Sequence, residues 1–221
     1  SAAAQPRPAA LVGNLGIVVI GRNEGLRLQV CISAVAGRGA PVIYVDSGSN
    51  DNSVDLAAQQ GAQVHTLAPT RPFTAARGRN EGWAALLEQH PGLELVQFID
   101  GDCEIHADWL AMAAAFMAAH PKAAAVCGRL RERHPEKSVY NQLCDMEWNT
   151  PVGPAKACGG IAMLRMSALA ATHGFREDLI AGEEPELCVR LRQAGWRVHR
   201  LDHEMTLHDA AITRFGQWWK R

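Results

Sequence analysis

Asp100 and Asp102 flank Gly101 at the end of the apolar run Leu95-Val96-Gln97-Phe98-Ile99. A carboxylate pair at the exit of a buried strand can hold a hard divalent cation, Mg²⁺ or Mn²⁺. Such ions take carboxylate oxygens plus a substrate's phosphates rather than an all-protein cage. Glycine between the acids leaves room for close approach. The chemistry this suggests is the handling of a nucleoside diphosphate compound. An acidic surface turn would carry the same three letters, so the weight falls on what else shares the rim.

The elements that must position these acids alternate along the first half. Strand-like runs at Ile17-Val18-Val19-Ile20, Val42-Ile43-Tyr44-Val45 and Ala62 to Thr66 are separated by helical patterns over Glu24 to Ala36 and Ser53 to Gln60. A longer helix, Phe73 to Glu88, precedes the Asp100 strand, and an Ala-rich helix, Asp108 to Ala119, follows it. Alternation of this kind predicts a parallel α/β sheet covered by helices, with the ligand at the carboxyl ends of the strands. There the loops Gly21-Arg22-Asn23-Glu24-Gly25, Asp46 to Ser53 and Asp100-Gly101-Asp102 meet on one rim. Asp46 could accept a hydrogen bond from a base N–H, while Ser49 or Asn50 could cap the next helix. Helix capping alone explains the same Ser, Asn and Asp residues.

After Pro121 the pattern changes. Ala123 to Leu130 reads as a strand, His134 to Lys156 as an irregular stretch with three prolines, and Cys158 to Leu164 as a glycine-opened strand. A helix over Glu184 to Ala194 ends at Gly195 and leads into a strand from Trp196 to Leu201. The expected organisation is a flexible leader over residues 1–12 and one domain over 13–221. Within it, 13–120 forms a nucleotide-binding half and 121–221 an acceptor and sugar half.

Composition narrows the function classes. The 221 residues are 48% hydrophobic and 20% charged, ordinary for a globular domain with one good core. A net charge of −1 offers no basic field for nucleic acid. The six cysteines have no C-x-x-C spacing, which suits a reduced, cytoplasmic protein. No run reaches the roughly 18 apolar residues that span a bilayer.

Six segments in order resemble the motifs of family 2 glycosyltransferases of the GT-A fold, which implies a mostly parallel sheet flanked by helices with a small antiparallel element in the C-terminal half. They are Ile17 to Glu24, Val45 to Asp51, Arg77-Gly78-Arg79-Asn80-Glu81-Gly82, Asp100-Gly101-Asp102, Cys158-Gly159-Gly160 and Gly182-Glu183-Glu184. The resemblance implies a metal-dependent, inverting transferase of a nucleotide sugar, UDP-linked, acting on an acceptor hydroxyl in cell-envelope glycan or glycolipid synthesis. It assigns Asn23, Glu24, Asp46, Ser47, Arg77, Arg79, Asn80, Asp100, Gly101, Gly159 and Gly160 to the donor. It assigns Asp100, Asp102 and His208 to Mg²⁺ or Mn²⁺, with His203 as the fallback. Glu184 is the implied catalytic base, with Glu183 as its competitor.

The chain departs from the family's habits at Ser47, where Asp is usual, at Gly21, where Pro is common, and at Glu184, which replaces Asp. Gln217-Trp218-Trp219-Lys220-Arg221 only partly echoes the Q-x-x-R-W element of processive synthases, so a processive polymerase is not expected. Two rivals stay open: a nucleotidyltransferase that forms sugar nucleotides, and a nucleotide-sugar-binding domain without turnover. A phosphatase fits poorly, since its nucleophilic aspartate would follow the first strand. Acceptor contacts are expected among Asp145, Glu147, Trp148 and Asn149. The segment Phe215 to Arg221 suits either the inner face of a membrane or ordinary packing.

Overall fold

The computed structural model describes residues 13–210 and 212–219. Its core begins with three strands, β1 (Leu15–Gly21), β2 (Val42–Asp46) and β4 (Leu95–Asp100). Their Val-, Ile- and Leu-rich runs are buried on both faces, the mark of a parallel sheet covered by helices. The first covering helix, α1 (Leu26–Val35), buries Leu28, Cys31, Ile32 and Val35, a spacing that keeps one helical face on the sheet. Short α2 (Ser53–Gln59) leads to the edge strand β3 (Gln63–Thr66).

Helix α3 (Ala75–Gln89) packs on β1 and β2 through a glycine. A Cβ at Gly82 would lie 2.5 Å from Val18 Cγ1 and 3.0 Å from Val45 Cγ2, so any side chain there would push the helix off the sheet. Strand β5 (Cys103–Ile105) follows β4, and α4 (Trp109–Ala119) leads to the long β6 (Ala123–Glu132). Helix α5 (Val139–Glu147), the two-residue β7 (Gly153–Pro154), β8 (Ala162–Arg165) and α6 (Met166–Ala171) come next. The chain then runs through α7 (Glu183–Gln193), β9 (Arg197–His208) and α8 (Phe215–Trp219).

The nine strands of the described residues form one mixed sheet, in the order β3-β2-β1-β4-β8-β6-β9-β5, with β7 on β9. The pairs β1–β2, β2–β3, β1–β4 and β6–β9 are parallel. Strand β8 runs antiparallel between β4 and β6, and β5 pairs antiparallel with the end of β9. This is the expected α/β architecture with its antiparallel element in the second half.

Register does the positioning. Ile20 pairs with both Val45 and Asp100, and Gly21 with Asp46, so the three loops after β1, β2 and β4 leave the sheet at one level. On the far side His208 pairs with Cys103 across one edge and with Glu132 across the other. His208, more than a hundred positions away, thereby becomes a neighbour of Asp102.

Four details correct the sequence reading. The stretch 134–156 is not irregular throughout: a 3-10 turn (Pro135–Lys137) precedes α5, whose N-cap Ser138 accepts from Asn141 N–H at 3.0 Å. Among its residues only Asn141 and Cys144 are buried, so no apolar stripe announced the helix. The strand expected over 158–164 is regular only from Ala162, because Gly159 at φ +78° turns the chain first. The last strand runs seven residues past Leu201, and both β5 and α6 were unforeseen. Residues 1–12, expected as a leader, lie outside the described residues.

Candidate active site

The loops after β1 and β2 are laced to each other before any ligand is considered. Asn23, at φ +57°, donates its amide to Ser49 Oγ (2.9 Å) and accepts from the Asn50 amide through Oδ1 (2.8 Å). Ser53 Oγ accepts from the amides of Glu24 and Gly25, both at 3.1 Å. Asp46 is buried beneath this lacing. Its Oδ1 accepts from Tyr44 Oη (3.0 Å), and its Oδ2 accepts from the amides of Gly48 (3.0 Å) and Ser49 (2.8 Å). Ser47 donates its amide to Gly21 O at 3.0 Å. Glu24 pairs with Arg27 at 2.7 Å; burial and the nearby Asp102 raise its carboxyl, while Arg27 opposes them.

Helix α3 carries two arginines with opposite fates. Arg77 is buried, pairs with Glu81 at 2.7 Å, and donates to the carbonyls of Ala68 and Arg71, both at 3.0 Å. It staples the loop before its own helix, which differs from the donor contact expected of it. Asn80 is likewise occupied: Nδ2 donates to Phe175 O (2.8 Å) and Glu177 Oε1 (3.0 Å), while Oδ1 accepts from the Phe175 amide (2.9 Å). Arg79 instead reaches the rim, donating from Nη1 to Glu183 (2.7 Å) and from Nη2 to Asp100 Oδ1 (3.1 Å). Its guanidinium also lies 5.7 Å from the Phe175 ring centroid, within cation–π range.

Gly160 exists because of that arginine. A Cβ on it would run into Arg79 Nη2 and stand 3.7 Å from Asp100 Oδ2. Gly101 is similarly confined, a Cβ there falling 3.0 Å from Glu24 Cγ.

Asp102 Oδ2 stands 3.2 Å from His208 Nε2, and Asp102 Oδ1 accepts from Cys103 Sγ at 3.3 Å. Behind the imidazole, His208 Nδ1 lies 3.7 Å from Glu132 Oε2, beyond hydrogen-bond range, and that buried nitrogen has no hydrogen-bond partner. Glu132 itself accepts from the amides of His134 (3.0 Å) and Ala210 (3.1 Å). Burial alone would lower the pKa of His208, but Asp102 and Glu132 outweigh it and push the value up to about 10. Burial raises and His208 lowers the Asp102 carboxyl, with the net shift downward.

An oxygen and a nitrogen this close fit a shared hard cation. Two adjacent ligands at about 2.1 Å from an octahedral ion lie about 3 Å apart. Glu132 stands behind the imidazole, near enough for charge attraction but not hydrogen-bonded to it. Sequence reasoning missed Glu132, because only the β6–β9 register brings it to His208. His203, the fallback ligand, packs against the rings of His106 and Trp109.

Glu184 and Glu183 open α7 and diverge. Glu183 takes the Arg79 ion pair. Glu184 is buried, and its Oε1 accepts from the Cys158 amide (2.6 Å) and from Cys188 Sγ (2.9 Å). A cavity of about 390 Å³ is lined by Asp100, His208, Glu184, Cys158, Gly159 and Gly160. Glu147, Trp148 and Thr150 also line it, and Trp148 meets His208 edge-on at 4.9 Å between centroids. Asp145, expected near the acceptor, is instead paired with Arg129 at 2.8 Å. Asn149 is not among the lining residues.

At the C-terminus Phe215 and Trp219 are exposed and stack at 5.8 Å. Lys220, Arg221 and the Trp218 side chain lie outside the described residues. Among the described residues no helix is long and apolar enough to cross a membrane.

The comparisons bear on the family and the fold. The family model described as Glycosyl transferase family 2 matches residues 16–169, more than two thirds of the chain. No curated protein sequence matches the chain. Among solved structures, S. aureus TarS (residues 1–349) superposes with a TM-score of 0.65 and 17% identity, over 88% of this chain and 60% of that one. The mannosyltransferase PcManGT from Pyrobaculum calidifontis, in complex with GDP-Man and Mn²⁺, gives a TM-score of 0.66 and 17% identity, over 97% of this chain and 62% of that one. The chain thus spans about three fifths of the length of these two structures. At such identity the likeness speaks to the GT-A arrangement alone, and the family match takes in the loops after β1, β2 and β4 but ends before Glu183, Glu184 and His208. The chain belongs to family 2 of the glycosyltransferases.

Proposed function

We propose that this glycosyltransferase moves a sugar from a UDP-linked donor to an acceptor hydroxyl, with inversion at the anomeric carbon and with Mg²⁺ or Mn²⁺ held by Asp102 and His208. One observation carries the reading: Asp100, His208 and a buried carboxylate, Glu184, line the same cavity. Cation ligands and a base facing a shared space are what a one-step displacement needs. Bound at Asp102 and His208, the cation would neutralise charge on the departing diphosphate.

The chain's own residues supply the rest. Glu184 takes the proton from the acceptor hydroxyl as that oxygen attacks, and the Cys158 amide fixes the carboxylate's orientation. Arg79 couples Asp100 to Glu183, so the donor rim and the start of α7 are held in one geometry. Gly159 and Gly160 leave space for the transferred sugar, and Trp148 and Glu147 are the acceptor-side contacts. The uracil preference rests on the family resemblance at Asp46. A base there must share a carboxylate already engaged by Tyr44 and two amides. The protein is proposed to act in the cytoplasm at the inner face of a membrane, and the exposed Phe215–Trp219 stack supports that placement.

Steady-state transfer, or slow donor hydrolysis until an acceptor is found, tests the base. Glu184→Gln keeps size and hydrogen bonding but cannot accept the proton, so turnover is expected to fall by about 10²–10⁴-fold. Glu183→Gln should be milder. The reverse ranking would move the base to Glu183, and indifference to both would remove the inverting mechanism's main support.

A further inference from the structure

Glu184 belongs to a second cluster of ligand-type atoms besides Asp102 and His208. Cys158 Sγ and Cys188 Sγ stand 3.6 Å apart, and Cys188 Sγ is 2.9 Å from the same Glu184 oxygen that holds the Cys158 amide. The two sulfurs and the carboxylate oxygen all lie within 4.8 Å of one another, and all three residues are buried. Buried cysteines usually serve as small hydrophobes. Packing alone does not require two thiols and a carboxylate to converge on one point beside a cavity.

We propose that Cys158, Cys188 and Glu184 form a binding site for a thiophilic divalent cation, Zn²⁺ or Cd²⁺, separate from the hard-cation site at Asp102 and His208, and that its occupancy withdraws Glu184 from the cavity. A tetrahedral ion with metal–sulfur bonds of about 2.3 Å sets its sulfurs about 3.8 Å apart, close to the spacing already present. The carboxylate must retreat by less than about 1 Å to replace its hydrogen bond from Cys188 with a metal bond. Cys158 and Glu184 line the cavity, which provides both the entry path and room for a water as fourth ligand.

Charge and protons balance. The ion displaces the proton of each thiol and binds the carboxylate, giving a complex of net charge −1 and releasing two protons to solvent. Without an ion, hydrogen bonding to Cys188 and burial push the Cys158 thiol well up, so it remains protonated and unreactive at neutral pH. A metal must displace that proton, so binding is expected to strengthen as pH rises. Selectivity follows from softness: Mg²⁺ and Mn²⁺ prefer oxygen ligands, whereas paired thiolates select Zn²⁺ and Cd²⁺. Binding does not depend on the role proposed for Glu184; only the expected inhibition rests on that reading.

The test is titration of the full chain, reduced and freed of metal by chelator, with Cd²⁺ in excess Mg²⁺. The thiolate-to-cadmium absorbance in the near ultraviolet and the protons released are followed together. One equivalent is expected, with the intensity of two thiolates and two protons. Cys103 also lies beside ligand-type atoms, Asp102 and His208, so Cys103→Ala is the control and should leave the band intact. The double variant Cys158→Ala plus Cys188→Ala should lose it. Cys188→Ser, which keeps size and polarity, should at least halve the band and weaken affinity by about tenfold or more, with an unchanged circular dichroism spectrum.

A band of undiminished intensity in Cys188→Ser, one that disappears in Cys103→Ala, or one that never forms in the unaltered chain would overturn the site. Cd²⁺ binding without loss of turnover would leave the site standing and count against Glu184 as base.

Discussion

The two flanks of the sheet's carboxyl edge are built on opposite plans. On the β1–β2–β3 side nearly every polar side chain of the rim is engaged by another part of the protein: Asp46 by Tyr44 and two amides, Asn23 by Ser49 and Asn50, Asn80 by Phe175, Arg77 by three backbone carbonyls. On the β6–β9 side Glu184, His208, Glu147 and Trp148 line an open cavity. One flank is a finished scaffold whose side chains hold loops in shape. The other also holds its groups, Glu184 by the Cys158 amide and Cys188, and His208 by Asp102, but holds them around a cavity. Arg79 is the strut between them, with Asp100 at one end and Glu183 at the other.

The contrast is easiest to break at Arg77. If it is scaffold, Arg77→Ala should destabilise the fold by about 3 kcal/mol, more than a hundredfold in the folding equilibrium, because a buried charge pair and several carbonyls lose their partner. The folded fraction should bind donor normally. Urea unfolding beside nucleotide titration checks this, and weakened binding without lost stability would return Arg77 to the donor site.

Gly160→Ala probes the strut with the opposite signature. The new methyl must displace the Arg79 guanidinium, and a misplacement of about 1 Å near the reacting atoms can cost up to about 10²-fold in rate. Turnover should drop while the unfolding midpoint moves little. A normal rate would show that Arg79 can move aside without consequence.

A smaller effect concerns pH in the metal-free protein. The pKa of His208 is about 10 when folded against an ordinary 6.5, so its contribution to stability is full below pH 6.5 and is lost as pH rises through 10. With chelator present, the melting temperature should therefore fall between pH 7 and 10, and less steeply in His208→Gln. Identical slopes would mean that the Asp102 contact does not hold the proton.

The same contrast explains what could be read from the sequence. The strands β1, β2 and β4 were legible because doubly buried parallel strands are written as continuous Val, Ile and Leu runs. The glycines and acids that follow them mark the rim directly. Arg77 and Arg79 could not be told apart: they share a motif, yet two residues on a helix do not share a face, and only packing reveals which one meets the loop. On the second flank the meeting of Asp102, His208 and Glu132 is made by strand pairing across 106 and 76 positions, information that no local pattern contains. Helix α5 was hidden because it buries a polar Asn141, which holds Glu132 and the Ile212 amide, in place of an apolar stripe.

The central claim is that one flank binds the donor through a cation while the other supplies the base. Calorimetric titration of UDP, with Mn²⁺ or with chelator, into the unaltered chain, Asp102→Asn and Glu184→Gln tests it most directly. The account predicts tight binding that the chelator abolishes in the unaltered chain, loss of most metal-dependent binding in Asp102→Asn, and nearly unchanged binding in Glu184→Gln. Equal UDP affinity with and without chelator, or loss of binding in Glu184→Gln to the same extent as in Asp102→Asn, would contradict it.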